Sequence, residues 1–257
     1  MKKKLIKIIK KAGKILKRGF YSEKELTFKG KKDLVTKYDV AVENYLKKEF
    51  SKYFPKFNII AEESDNSKIE FNNSIIIDPI DGTTNFVNGV PHTSISVGVY
   101  KDKKPYIGIV YNPILDELYV AKTGKGAYLN GCKLCVSSEN NLQKALIATG
   151  FPYSSSENRN DLVDVVKRIE KLLPHCQDLR RLGSASIDLC MVAKGVFEAY
   201  YEMNLKPWDV AAGLIILAEA GGKITNINGA KFDMFNDKYI VVTNGKIHDE
   251  LLSKLNI

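Results

Sequence analysis

Apolar residues in the first twenty positions recur every three to four places. Leu5, Ile8, Ile9, Ala12, Ile15, Leu16 and Phe20 fall on one face of a 3.6-residue period, with lysines on the other. The spacing predicts a helix over residues 3–20. A second helical pattern covers residues 38–53, starting near Asp39 and ending before Pro55. The period then shortens. Phe57 to Ile60 and the β-branched run Ile75 to Ile77 read as strands. Ser94 to Tyr100, Tyr106 to Tyr111, Glu117 to Ala121 and Ala127 to Leu129 alternate as β segments. Asp102-Lys103, Asn112-Pro113 and Lys122-Thr123-Gly124 mark turns between them, which predicts an antiparallel meander.

The second half alternates strand and helix. Strands are expected over residues 145–149, 179–182, 197–201 and 240–243. Helices are expected over residues 160–173, from Gly183-Ser184-Ala185-Ser186 to Ala193, from Pro207 to Ala218, and over residues 247–255. Residues 136–145 contain the polar run Ser-Ser-Glu-Asn-Asn. That break divides the chain into a lobe of residues 1–137 and a lobe of residues 138–257, and the mixture of elements predicts an α/β (α+β) fold.

Charge adds one asymmetry. The chain of 257 residues has a formal net charge of +9. Lys2, Lys3, Lys4, Lys7, Lys10, Lys11, Lys14, Lys17 and Arg18 lie in the first helix, which has no acid, so the rest of the chain is neutral overall. Such a helix can touch a membrane, RNA or an acidic partner. The preferred reading is a helix packed on the core with a solvated lysine face. No apolar stretch reaches 18 residues, so no membrane span is expected. Four cysteines, Cys132, Cys135, Cys176 and Cys190, include one C-x-x-C pair after the hairpin signal Asn130-Gly131. One such pair lacks the four ligands of a structural zinc site, and sparse cysteines suit a reducing cytoplasm.

Candidate chemistry concentrates where elements begin or end. The run Ile75-Ile76-Ile77 leads into Asp78-Pro79-Ile80-Asp81-Gly82-Thr83-Thr84, which places Asp78 at or just past a strand end. Pro79 restricts the pose of the two carboxylates. Paired anions repel unless a cation lies between them, which points to Mg²⁺. Gly82 frees backbone N–H groups to face an anion. Glu62 also follows a strand, and Asp209 stands at a helix N-terminus, so four hard oxygen donors share this placement. Taken singly, Glu62 reads as a solvated loop acid and Asp209 as a helix cap. His92, beside Pro91, reads as a structural histidine. Walker A, G-x-G-x-x-G and G-x-S-x-G motifs are absent, which leaves metal-driven chemistry with water as nucleophile.

The runs Asp78-Pro-Ile-Asp-Gly-Thr-Thr-Asn-Phe86, Ala61-Glu-Glu-Ser64, Pro207-Trp-Asp-Val-Ala-Ala-Gly213 and Asp33-Leu-Val-Thr-Lys-Tyr-Asp39 resemble the signatures of the inositol monophosphatase family, collinearly from about residue 30 to 245. Arg180-Arg-Leu-Gly-Ser-Ala-Ser186, Gly150-Phe-Pro152 and Leu205-Lys-Pro-Trp-Asp209 are most similar to its bacterial branch. The resemblance implies a five-layered αβαβα sandwich of the inositol monophosphatase/fructose-1,6-bisphosphatase type, usually a homodimer, with the site between two lobes. It implies two or three Mg²⁺ ions per site. Glu62, Asp78 and the carbonyl of Ile80 would hold the first; Asp78, Asp81 and Asp209 the second; a weaker third would lie near Glu62. Thr83, paired with Asp39, would orient the attacking water. The N–H groups of Gly82 and Thr83 would receive the phosphate, and Gly183, Ser184, Ala185 and Glu202 would face the alcohol. A mobile-loop lysine of the family corresponds to Lys29, Lys31 or Lys32. The implied activity is Mg²⁺-dependent, Li⁺-sensitive hydrolysis of a phosphate monoester, foremost myo-inositol 1-phosphate. Alternatives are fructose 1,6-bisphosphate, with Arg180 or Arg181 near the second phosphate, or 3′-phosphoadenosine 5′-phosphate. Some bacterial relatives also bind the transcription machinery, for which the basic helix and Arg180–Arg181 are candidate contacts.

Overall fold

The computed structural model describes residues 1–22, 26–28, 34–67, 70–156 and 158–256. Lys29, Lys31, Lys32 and Asp33 lie outside the described residues. Helix α1 (Lys2–Phe20) is followed by the hairpin strands β1 (Leu26–Phe28) and β2 (Leu34–Thr36), then α2 (Lys37–Tyr53). Strands β3 (Asn58–Ala61) and β4 (Ser74–Asp81) precede the short helix α3 (Thr83–Val87). The meander is β5 (Ser94–Lys101), β6 (Lys104–Asn112), β7 (Glu117–Lys122), β8 (Ala127–Leu129) and β9 (Cys132–Lys133). Next come β10 (Leu146–Thr149), α4 (Arg159–Leu172), β11 (Asp178–Arg180), α5 (Ala185–Ala193) and β12 (Ala199–Met203). Helix α6 (Pro207–Glu219), β13 (Lys223–Asn226), β14 (Tyr239–Thr243) and α7 (His248–Leu255) complete the described order.

Two large sheets result. Seven strands run β3-β4-β5-β6-β7-β8-β9, and five run β11-β10-β12-β14-β13. Strand β4 shows why the layers stack as they do. All eight of its residues are buried. Ile75 and Ile77 join the cluster formed with Leu5, Ile9 and Leu16 of α1 and Leu46 of α2. Ile76, pointing the other way, joins Val210, Ala211 and Ile215 of α6. The large sheet is therefore covered on both faces, each buried Ile contributing about 1.5–3 kcal/mol. Helices α5 and α6 fill the space between the sheets. Helices α4 and α7 cover the far face of the small sheet through Leu172, Leu251 and Leu255. The order is helices, sheet, helices, sheet, helices: the expected five layers.

Helix α6 approaches the large sheet closely because glycines lie beneath it. A Cβ at Gly108 would stand 2.4 Å from the Ala212 carbonyl oxygen, and one at Gly98 2.8 Å from Ala211 Cβ. At the opposite edge of the small sheet, His248 is buried between two strands. Its Nε2 lies 3.0 Å from Thr225 Oγ1 and its Nδ1 2.9 Å from Thr243 Oγ1. On the first helix, Leu5, Ile8, Ile9, Ala12 and Leu16 are buried while Lys3, Lys7, Lys10 and Lys14 are exposed. That is the expected core-packed helix with a solvated basic face.

The structure corrects three local expectations. Strand β4 does not end at Ile77. It runs to Asp81, because its pairing with β5 slips between Asp78↔Ser96 and Asp81↔Ser94 and one extra residue is absorbed there. Pro79 sits in this bulge, where its missing N–H costs no ladder bond. Second, Thr83 to Val87 is a helix, where Gly82-Thr83-Thr84 by itself reads as a turn. Third, Lys223–Asn226 forms an edge strand that its short, mixed-polarity sequence does not announce.

Candidate active site

The bulge gathers the first two carboxylates. Asp78 Oδ1 accepts the Ile80 N–H at 3.0 Å, which folds the side chain back over its own strand. Burial pushes the Asp78 carboxyl well above the usual range, and the charges of Glu62, Asp81 and Asp209 push it further. Glu62 follows β3, its N–H donating to the Ile77 carbonyl at 3.3 Å. The buried Glu43 of α2 steadies this loop: its carboxylate accepts the Glu63 N–H at 2.8 Å and the Ser64 hydroxyl at 2.5 Å.

Asp81 faces the other half of the chain. Its Oδ2 accepts Ser184 Oγ at 2.6 Å, the Ser186 N–H at 2.8 Å and Ser186 Oγ at 2.5 Å. A carboxylate of β4 thus caps the N-terminus of α5, where the helix dipole favours negative charge. Burial raises the Asp81 carboxyl and these donors lower it in part. Gly82 follows with φ +82; a Cβ there would lie 2.9 Å from the His92 carbonyl and 3.0 Å from that of Gly183. Only glycine fits this crossing of two backbones.

Thr83 opens α3. Its hydroxyl lies 2.9 Å from the Ile80 carbonyl and 3.2 Å from Asp39 Oδ1. Asp39 Oδ2 accepts both the N–H and the hydroxyl of Thr36, at 2.8 and 2.6 Å, closing the capping box of α2. Burial raises the Asp39 carboxyl.

The second wall comes from α5, β12 and α6. A cleft of about 540 Å³ is lined by Glu62, Asp81 and Gly82 on one side and by Gly183, Ala185, Glu202 and Asp209 on the other. Asp209 Oδ2 accepts the Lys206 N–H at 2.6 Å, so it does cap α6 while lining the cleft. Burial pushes its carboxyl up to about 8. Glu202 takes a short hydrogen bond from the Tyr200 hydroxyl, and burial pushes it up to about 7. Arg181 lines the cleft as well, whereas Arg180 turns away to pair with Asp178 at 2.5 Å. His92 is structural: Nε2 lies 3.1 Å from Asp188 Oδ1. All four cysteines are free, Cys132 and Cys135 exposed.

Among the described residues, no three His, Cys, Asp or Glu side chains are gathered closely enough to hold a metal ion as they stand. Asp78, Asp81 and Asp209 each direct one oxygen to a protein donor instead. The donor set still fits a hard divalent cation. It is all carboxylate: Glu62, Asp81 and Asp209 line one cleft, and Asp78, buried behind its lining, is held in repulsion with those three that a cation would relieve. Sequence reasoning missed Ser94 and Ser186 as supports of Asp81, because Ser94 lies 13 and Ser186 105 residues along the chain from it, and missed Thr36, three residues from Asp39 in the same run, as its capping partner.

The layered sandwich with a carboxylate cleft between its sheets defines a class of phosphoric monoester hydrolases. A model described as "Inositol monophosphatase family" matches residues 1–257, and the chain belongs to that family. It is 40% identical to Inositol monophosphatase 3 of Solanum lycopersicum, covering 98% of this chain and 94% of that one. Nus factor SuhB of Pasteurella multocida is 36% identical, with coverages of 97% and 93%. Fructose-1,6-bisphosphatase/inositol-1-monophosphatase of Aquifex aeolicus is 37% identical, with coverages of 93% and 89%. The solved extragenic suppressor protein suhB of Bartonella henselae superposes with a TM-score of 0.91 at 33% identity, over 99% of this chain and 97% of that one. The chain is a phosphoric monoester hydrolase. Among the described residues no helix is long and apolar enough to cross a membrane.

Proposed function

We propose that the chain hydrolyses a small polyol phosphate, foremost myo-inositol 1-phosphate, with Mg²⁺ and water. The observation that carries this reading is the crowding of Glu62, Asp81 and Asp209 around the buried Asp78, opposite a carboxylate, Glu202, suited to accept polyol hydroxyls. Glu62, Asp78 and the Ile80 carbonyl would hold a first ion, Asp78, Asp81 and Asp209 a second, and Glu62 a weaker third. Bound Mg²⁺ supplies an acidified water and charge neutralisation at the leaving oxygen. The residues do the rest. Asp39 accepts a hydrogen bond from the Thr83 hydroxyl, which leaves a lone pair of Thr83 Oγ1 to accept from the attacking water. The N–H groups of Gly82 and Thr83 receive the phosphate. Gly183, Ser184, Ala185 and Glu202 orient the alcohol.

A second reading rests on Arg181. Because it lines the cleft and Arg180 does not, a substrate with a second phosphate, such as fructose 1,6-bisphosphate, gains a cationic partner. Phosphate release across inositol 1-phosphate, fructose 1,6-bisphosphate and 3′-phosphoadenosine 5′-phosphate, with and without Mg²⁺ and with Li⁺, separates the readings. Mg²⁺-dependent, Li⁺-inhibited release, largest from inositol 1-phosphate, is expected. No Mg²⁺-dependent release from any of them sinks the proposal. A cytoplasmic homodimer, and a non-catalytic contact with the transcription machinery through α1 or Arg180–Arg181, complete the proposal. Light scattering tests the dimer; loss of RNA polymerase co-purification on Arg181→Ala tests the contact.

A further inference from the structure

Asp81 is held more firmly than its bulge requires. Among the described residues, three hydrogen bonds reach its side chain and all fall on Oδ2, two of them from Ser186. The Ser186 N–H bond alone would already make Asp81 a cap of α5. Yet the Ser186 hydroxyl also reaches Asp81, at 2.5 Å, and lies 2.8 Å from the Ser94 hydroxyl. Each hydroxyl carries one proton, and an ionised carboxylate can only accept. Ser186 therefore gives its proton to Asp81 and receives that of Ser94, which sets a single direction: Ser94 to Ser186 to Asp81. Both serines are fully buried, at 0% exposure, so no bulk water substitutes for either. Ser94 is also the residue of β5 directly opposite Asp81. Its neighbour Thr93 donates to the Asp81 carbonyl at 3.0 Å.

We propose that the Ser94–Ser186 hydroxyl relay is a positioning device that locks Asp81 Oδ2 and leaves Oδ1 as the oxygen available to a divalent cation in the cleft. The inference rests on the metal reading given above. It adds that cation affinity at Asp81 depends on contact between the large sheet, which supplies Ser94 and Asp81, and α5, which supplies Ser186. Ser186 and Ser94 are positioning residues; neither lines the cleft.

The test is calorimetric titration of Mg²⁺ into metal-stripped wild type, Ser186→Ala and Ser94→Ala. Loss of a hydrogen bond to a metal-ligating carboxylate weakens binding by roughly 10–100-fold. Ser186→Ala should weaken one Mg²⁺ event by that factor and leave the other unaltered, and Ser94→Ala should weaken the same event by less. In phosphate release, the Mg²⁺ concentration at half-saturation should rise by the same factor while kcat at saturating Mg²⁺ returns to the wild-type value. A merely structural loss would lower the metal-free melting temperature without that split. Wild-type Mg²⁺ affinity in Ser186→Ala overturns the inference. So does Ser94→Ala binding as wild type, which also decides the matter should Ser186→Ala not fold. A wild-type chain that takes up no Mg²⁺ overturns the metal reading itself.

Discussion

The two walls of the cleft are built by opposite means. On the first wall, Asp81 lines the cleft and Asp78 lies buried three residues before it on the same strand, 7% and 2% exposed, each pinned by donors of known position. On the second wall, Arg181, Glu202 and Asp209 come from three separate stretches around β11, β12 and α6 and line open cleft. The first wall is rigid because a β-bulge cannot shift without breaking the ladders on both sides. The second can change one residue at a time. Under the proposed function the strand supplies two metal ligands, the second wall adds Asp209 to them, and the contacts to the alcohol are spread over the ends of the other elements.

The sharpest way to break this contrast is to neutralise one acid on each wall. Asp78→Asn and Asp209→Asn should each lower kcat by ~10³-fold, since a metal site supplies several kcal/mol of transition-state stabilisation. Their stabilities should differ in kind from their activities. Because burial and like charges raise the Asp78 carboxyl, the neutral amide removes an unfavourable charge, and the urea midpoint without metal should hold or rise. Full turnover in either variant removes that acid from the site.

Acid should loosen the second half of the molecule first. His248 is pushed down to about 4 by burial, then by Lys223. Its folded value lies below its ordinary 6.5, so the neutral form stabilises the fold above pH 6.5. That contribution is lost as pH falls from 6.5 to 4, by up to ~3 kcal/mol. Urea midpoints across this window should slope in wild type and flatten in His248→Gln. Equal slopes would detach the effect from His248.

Gly82 tests the seam between the walls. Gly82→Ala forces a Cβ toward two carbonyl oxygens at φ +82, and should cost ~1–3 kcal/mol in urea unfolding. A change within error would mean the crossing is slack. The smallest effect belongs to the distributed wall. Glu202→Gln should raise KM for inositol 1-phosphate about tenfold with little change in kcat, the loss of one hydrogen bond to a charged group. An unchanged KM would move recognition of the alcohol elsewhere.

What could be read from the chain follows the same divide. The β-branched run before Asp78 and the one-face pattern of α1 are local signals, and both produced the expected elements. The five layers followed from the motifs rather than from periodicity. Pro79 misled, because a proline inside a paired strand is legible only once the slip against β5 is seen. Helix α3 was hidden since Gly-Thr-Thr reads as a turn, and the helical hydrogen bond from Phe86 N–H to the Gly82 carbonyl is invisible in composition. The supports of Asp81 come from residues 94, 184 and 186, and no local pattern connects them to it. Arg180 and Arg181 are adjacent in sequence, yet only the backbone direction after β11 decides which one faces the cleft.

The placement of α6 between the sheets has a consequence for synthesis. The large sheet is complete once Lys133 has been made, but the helix covering its inner face ends only at Glu219. Until then Ile76, Val110 and Tyr119 have no partner from Val210, Ala211 or Ile215. A nascent chain paused in this interval carries an uncovered apolar sheet, the kind of surface that recruits chaperones or aggregates. Fragments ending near residue 137 should therefore be insoluble however well their strands pair, and rare codons between β9 and α6 should lower the yield of folded protein.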